Sequence, residues 1–151
     1  MIETLNIGAG NKIIAGAVNH DLTKHRPEID VVWDLNDLPW PWEDNSFDKI
    51  NATAVLEHLR MDLMMSLNEC WRILRPGGTI YLKLPHWKHD TSWMDPTHYW
   101  KYSLRVLEVF DPDTVYGKAY AFYTEHKWRI IKGPKLNDAK SSFFVTMEVR
   151  K

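Results

Sequence analysis

The chain contains a single cysteine, Cys70, so no internal disulfide is available and the sequence suits a reducing cytosol. No apolar run approaches the roughly 20 residues that cross a bilayer. Residues 1–4 lead into a short apolar stretch without the charged-then-apolar pattern of an export signal. Neither sign of charge dominates: 19 basic and 20 acidic residues are interleaved, for a net charge of −1. The broad basic footprint of a nucleic-acid binder is therefore missing. Internal repeats, low-complexity segments and linkers are absent too, which predicts one domain over residues 1–151. With 44% hydrophobic and 26% charged residues, a chain of 151 can bury a core unaided by metals or disulfides. The expectation is a soluble, cytoplasmic protein whose partner is a small molecule, with no membrane and no nucleic acid.

Tryptophan departs from this ordinary composition, at 8 residues. Trp40, Trp42, Trp87, Trp93 and Trp100 sit in polar stretches. They read either as large rings filling a core or as rigid aromatic surface around a cleft.

Along the chain, Leu5-Asn6-Ile7 reads as a short strand broken by Gly8-Ala9-Gly10. Ala17-Val18-Asn19-His20 reads as a second strand closed by Asp21, and Ile29-Asp30-Val31-Val32-Trp33 as a third closed by Asp34. Residues 47–53 make a fourth. Leu63, Leu67, Cys70, Trp71 and Leu74 then recur at helical spacing, and Pro76-Gly77-Gly78 stops that helix. On this stripe Cys70 reads as a small buried hydrophobe. Residues 79–84 supply a fifth strand. A loop over 86–102 follows, rich in aromatics and histidines, and Ser103 caps a short helix presenting Leu104, Leu107 and Phe110. Residues 128–132 and 143–149 are two further strands, the latter read as an antiparallel edge strand. Strands separated by helical or loop segments imply a mainly parallel sheet, whose ligands lie outside the carboxyl ends of the strands.

Five segments meet that edge: residues 8–12, Asp21-Leu22, Asp34-Leu35, Ala52-Thr53 and Pro85-His86. A glycine turn lets backbone approach a ligand closely. Asp21 is placed to accept from a ribose diol and Asp34 from an adenine amino group, with the Leu35 amide facing a ring nitrogen. Taken singly, each aspartate is equally a cap or turn former. The string Leu5-Asn6-Ile7-Gly8-Ala9-Gly10-Asn11-Lys12, then Val18-Asn19-His20-Asp21-Leu22, resembles the first two motifs of class I S-adenosylmethionine-dependent methyltransferases. Val55-Leu56-Glu57-His58-Leu59 and Arg72-Ile73-Leu74-Arg75-Pro76-Gly77-Gly78 match the motifs that follow, and Leu84-Pro85-His86 with Asp95-Pro96-Thr97-His98 resembles a small, methyltransferase type 11-like subgroup.

The resemblance implies an α/β fold: a Rossmann-like, doubly wound, mostly parallel seven-stranded sheet with its last strand antiparallel. It implies S-adenosylmethionine as cofactor, held by Asn6, Gly8, Ala9, Gly10, Asn11, Asp21, Leu22, Asp34, Leu35, Ala52 and Thr53. Gly8 and Gly10 would meet its methionine part and Ala52-Thr53 its sulfonium side. Two departures stand out. Asn6 replaces the usual acidic residue and brings no charge to the cofactor's amino group. The interval from Gly10 to Val18 is also shorter than the dozen or more residues of an ordinary parallel crossover, so the first helix should shrink to about a turn. With the usual N-terminal helices also missing, one sheet face should lie under-covered, and a second copy of the chain is the expected cover.

The 86–102 loop offers the chemistry. His86 and His98 are candidate general bases, with Asp95 orienting one of them. Asp95-Pro96-Thr97-His98 reads equally well as a capped turn, and His58 is expected to pack beneath the cofactor. His86, His89, Asp90 and His98 lack tight ligand spacing and no cysteine joins them, so no metal is expected. The functional expectation is methyl transfer to a small-molecule or sugar-like acceptor. The alternative is a shortened cofactor-fold protein serving as a binding or scaffold partner. A nicotinamide enzyme fits poorly, because the third glycine of its fingerprint is missing.

Overall fold

A computed structural model describes residues 3–151; Met1 and Ile2, half of the stretch read for an export signal, lie outside the described residues. Seven strands form one sheet in the order β3-β2-β1-β4-β5-β7-β6. They are β1 (Thr4–Ile7), β2 (Val18–Asp21), β3 (Val31–Val32), β4 (Phe47–Thr53), β5 (Leu74–Pro85), β6 (Lys127–Leu136) and β7 (Ser142–Arg150). The first five pair in parallel, and β7 runs antiparallel to both of its neighbours. This is the mixed sheet the resemblance implies.

The last strand nevertheless sits inside the sheet, between β5 and β6, and not at its edge. The edge is β6, whose register shifts twice around Gly133-Pro134. Proline cannot donate to a ladder, so this segment is suited to an edge. β7 carries neither proline nor glycine and buries Phe143, Val145, Met147 and Val149 on one face.

Helices are few. In α1 (Leu63–Ile73), Leu63, Leu67, Cys70 and Ile73 are buried, and the Asp62 side chain accepts from the Met65 N–H at 2.8 Å, satisfying an otherwise orphaned donor. The helix ends at Ile73, two residues before Pro76 restricts its predecessor to extended backbone. Pro76-Gly77-Gly78 belongs to β5 as an irregularity in the ladder, between Leu74 opposite Phe47 and Thr79 opposite Lys49. Ser103 does not cap a helix; its hydroxyl accepts from the Arg105 N–H at 3.3 Å, ahead of a 3-10 turn over Val106–Phe110 that buries Leu107 and Phe110.

The connection from β1 to β2 holds no helix, not even one turn. Two tight turns replace it, closed by Lys12 N–H to the Ala9 carbonyl and Ala17 N–H to the Ile14 carbonyl. The segments between β2 and β3 and between β3 and β4 are likewise non-helical. In the second of these Trp40 substitutes for a helix. It is 2% exposed, its indole N–H donates to the Leu35 carbonyl, and its edge meets Trp42. Arg72 of α1 secures this segment by donating to the Trp40 and Trp42 carbonyls while paired with Glu69 and Asp44.

One sheet face is apolar throughout: Leu5, Ile7, Ile50, Ala52, Ile80, Leu82 and Val145 are all buried beneath α1 and the 3-10 turns. Burying a side chain of this size contributes roughly 1.5–3 kcal/mol relative to leaving it in water. The opposite face is polar and, over β5 and β7, open. Tyr81 is 38% exposed there and stacks on Phe144 at 6.0 Å. This is the face on which the expectation placed a second subunit.

Candidate active site

At the carboxyl edge of β1 the chain turns on Gly8, whose φ is +60°; a Cβ there would fall 2.4 Å from Val55 Cγ2. Only glycine fits on both counts. The turn is bonded to β2 three times. Gly8 N–H donates to His20 Nδ1 at 3.3 Å, Ala9 N–H to the His20 carbonyl at 2.8 Å, and Gly10 N–H to Asp21 Oδ2 at 2.6 Å. His20 is 1% exposed, and its Nε2 donates to the Trp33 carbonyl at 2.9 Å. Those partners require the neutral ring with its proton on Nε2, and burial pushes the His20 pKa down accordingly. A single imidazole thus joins the glycine turn to the end of β3.

These elements enclose a cavity of about 270 Å³. Of the sequence-predicted residues, Gly8, Asp21, Leu22, Asp34 and Leu35 line it. Asp21 Oδ1 also accepts from the Leu22 N–H, and Asp34 Oδ1 accepts from the backbone and side-chain amides of Asn36. Leu22 is 59% exposed and Trp33 36%, so two large apolar surfaces stand uncovered in the wall beside two carboxylates. Apolar walls with a few convergent polar groups are the ordinary make-up of a small-molecule site.

The other predicted positions fall elsewhere. Ala9 is buried behind the turn, the Gly10 amide is committed to Asp21, and Asn11 accepts from Arg26. Asn6 is fully occupied beneath the cavity: its amide donates to the Lys12 carbonyl and to Asn19 Oδ1, and its oxygen accepts from Asn51. Ala52 points into the core and Thr53 bonds Asn51. The cavity is reached one residue later, by Ala54 and Val55, because β4 still pairs with β5 at Thr53. Ala54 adopts φ +54°, a conformation alanine rarely takes. Its position just after the strand end is the sequence signal that points to it.

A second cavity of about 300 Å³ adjoins the first, and Ala54 and His58 line both. Glu57, Lys83, Thr91, His98 and Ser142 complete much of its wall. The rings of His58 and His98 meet edge to face at 4.7 Å, and Asp95 Oδ2 lies 3.6 Å from His98 Nε2. Glu57 is 2% exposed, and burial pushes its carboxyl up to about 7. His86 lines neither cavity; its ring packs on Phe143 and its Nδ1 donates to the Lys140 carbonyl at 3.3 Å. The loop that carries these groups is tied to the 57–59 segment by Tyr99 N–H to the Glu57 carbonyl and Trp100 Nε1–H to the Leu59 carbonyl.

The profile of the methyltransferase domain family matches residues 5–82, which hold the glycine turn, both aspartates and the Glu57-His58 segment. The YcgJ protein of Bacillus subtilis superposes with a TM-score of 0.62 at 14% identity, over 99% of this chain and 92% of its own. An S-adenosylmethionine-dependent methyltransferase from Mesorhizobium loti gives 0.65 at 12% identity, over 97% and 90%. One from Aquifex aeolicus gives 0.61 at 14%, over 98% and 82%. At such identities the likeness is one of fold. No protein of curated function matches the chain in sequence. The family match and the shared fold agree with the glycine turn and carboxylate pair of the first cavity: the chain belongs to the class I S-adenosylmethionine-dependent methyltransferases, and S-adenosylmethionine is its cofactor.

Proposed function

We propose that the chain transfers a methyl group from S-adenosylmethionine, bound in the first cavity, to a small hydroxylated acceptor of aromatic or sugar-like character in the second. The observation that carries this reading is the pair of residues common to both cavities, Ala54 and His58. We assign Asp21 to the ribose, Asp34 and Leu35 to the adenine, and Gly8 to the methionine portion. When bound, the cofactor supplies an electrophilic methyl group on a sulfonium centre. The chain's residues orient the acceptor, exclude water and accept one proton, because methylating a neutral hydroxyl to a neutral ether releases one. His98 is the base in this reading. Its Nδ1–H donates to the Ser92 carbonyl at 3.2 Å, which leaves the lone pair on Nε2, and Asp95 beside Nε2 stabilises the imidazolium that forms. His86, packed on Phe143, anchors the loop.

Incubation with S-adenosylmethionine and a panel of hydroxylated acceptors, read as S-adenosylhomocysteine released, tests the proposal. His98→Ala is expected to lower turnover roughly 10²–10⁴-fold with binding of S-adenosylhomocysteine retained. The commitment of both Asn6 donors to the scaffold favours a second reading, a binding protein without turnover. Absence of S-adenosylhomocysteine binding at millimolar concentration, by calorimetry, would decide for it.

A further inference from the structure

The Glu57, His58 and His98 side chains each offer one ligand atom within 4.8 Å of the others. We propose that this trio binds one first-row divalent cation in the wall of the second cavity. The strongest indication is Glu57: the residue is 2% exposed, yet its Oε2 has no hydrogen-bond partner among the described residues. A buried polar atom without a partner ordinarily marks the place of a water or an ion.

Proton bookkeeping prepares both histidines. The Thr97 hydroxyl has one hydrogen and gives it to Asp95 Oδ1 at 2.7 Å. It can therefore only accept from His58 Nδ1, 2.8 Å away. His98 Nδ1 faces a carbonyl, which can only accept. Each ring thus carries its hydrogen on Nδ1 and its lone pair on Nε2. Such outer hydrogen bonds fix the tautomer of ligating histidines. Around the site two carboxylates, Glu57 and Asp95, face one ammonium, Lys83, so the field favours a cation.

Two imidazoles and one carboxylate suit Mn²⁺, Co²⁺ or Zn²⁺ better than Mg²⁺ or Ca²⁺. Donor atoms in a tetrahedral site lie about 3.4 Å apart, so modest side-chain rotations close the set. Three protein ligands leave a position open toward the cavity for water or an acceptor oxygen. A cation and a proton compete for the His98 lone pair, so a loaded site polarises the acceptor's hydroxyl as a Lewis acid where the empty one uses a base. That last role rests on the methyl-transfer reading; the binding does not.

The test is calorimetric titration of the chelator-treated chain with Mn²⁺, Co²⁺ and Zn²⁺ chlorides, with visible absorption of the Co²⁺-loaded protein. We expect one cation per chain and ligand-field bands of inner-sphere cobalt. Glu57→Gln and His98→Ala should each remove saturable binding, and Thr97→Val, a positioning change, should weaken it about 10–100-fold. Far-ultraviolet circular dichroism of every sample certifies that the fold persists, and S-adenosylhomocysteine binding is measured alongside; should E57Q fail the fold check, H98A decides. No saturable binding of any of the three ions, or equal affinity in both ligand variants, overturns the site. Cation binding without S-adenosylhomocysteine binding would sink methyl transfer and leave the site standing, and the converse would sink the site alone.

Discussion

His20 ties the glycine turn to the end of β3, and replacing it with phenylalanine isolates its two nitrogens. Phenylalanine keeps a ring against Trp42, whose centroid lies 5.4 Å away, while the Gly8 N–H and the Trp33 carbonyl lose their partners. Leaving a buried donor or acceptor unsatisfied costs about 1–3 kcal/mol each. The two bonds are part-buried, so H20F should lower unfolding stability by about 2–4 kcal/mol. The pH dependence discriminates further. Burial holds the folded-state pKa of His20 below its ordinary 6.5. Its stabilisation is therefore present above pH 6.5 and is lost as pH falls through the lower folded-state value, where a proton on Nδ1 would face the Gly8 N–H donor. His58 and His126 are depressed in the same direction and add to the wild-type slope. One titrating group contributes at most about 1.4 kcal/mol per pH unit. Urea unfolding from pH 7.5 to 5 should thus show a wild-type slope steeper than that of H20F by up to this amount, and S-adenosylhomocysteine affinity should fall more steeply with acid in the wild type than in H20F. Parallel slopes, with cofactor affinity unchanged by the substitution, would refute the argument that His20 joins the glycine turn to β3.

Gly8→Ala meets two obstacles, the 2.4 Å approach to Val55 and the positive φ. It should weaken S-adenosylhomocysteine binding by at least about tenfold, and adding Val55→Ala should restore only part of the loss, since a left-handed alanine still costs about 1–2 kcal/mol; full recovery in calorimetry would mean that sterics alone matter. Asn6→Asp restores the family's usual charge yet should destabilise the fold by about 2–4 kcal/mol, because it turns one oxygen toward the Lys12 carbonyl and Asn19 Oδ1 in place of an amide nitrogen that donates to both. A thermal shift upward, or tighter cofactor binding, would contradict that reading of Asn6.

Where one residue type has one physical use, the fold was legible in the chain. Leu63, Leu67 and Cys70 of α1 come from apolar periodicity, although Leu74 of the same stripe falls in β5; β4 spans the predicted 47–53, and the strand-end rule leads to Gly8, Asp21 and Asp34 in one cavity wall. The position of β7 was not legible from its alternation, which suits an edge and an interior strand equally; the evidence lay in Gly133-Pro134 of its neighbour. The cavity is reached at Ala54 and Val55, one residue past the predicted Ala52-Thr53, because no pattern says how far past the last apolar residue β4 keeps pairing. The trio at the second cavity joins two neighbours to a residue far along the chain, and spacing does not reveal such a meeting. The tryptophans differ in burial, and those on the 86–102 loop line neither cavity. Trp40 and Trp128 are core, while Trp87 and Trp93 are exposed on the loop.

The missing crossover helices and the departures at the first motif have one cause. A helix between β1 and β2 would satisfy its own backbone and brace the glycine turn by packing. Without it, the ten residues of that connection need outside partners, and three asparagines supply them. Asn19 accepts from the Ile14 N–H and donates to the Ile14 and Ala17 carbonyls, Asn6 donates to the Lys12 carbonyl, and Asn51 closes the chain onto Asn6. Asp30 extends it by accepting from the Asn19 N–H. An amide donates and accepts at once, whereas an ionised carboxylate only accepts, so a carboxylate at position 6 would break the set. The neutral residue at this position is thus the one that lets a connection of turns hold the cleft, and a carboxylate at position 6 is what the chain forgoes for it.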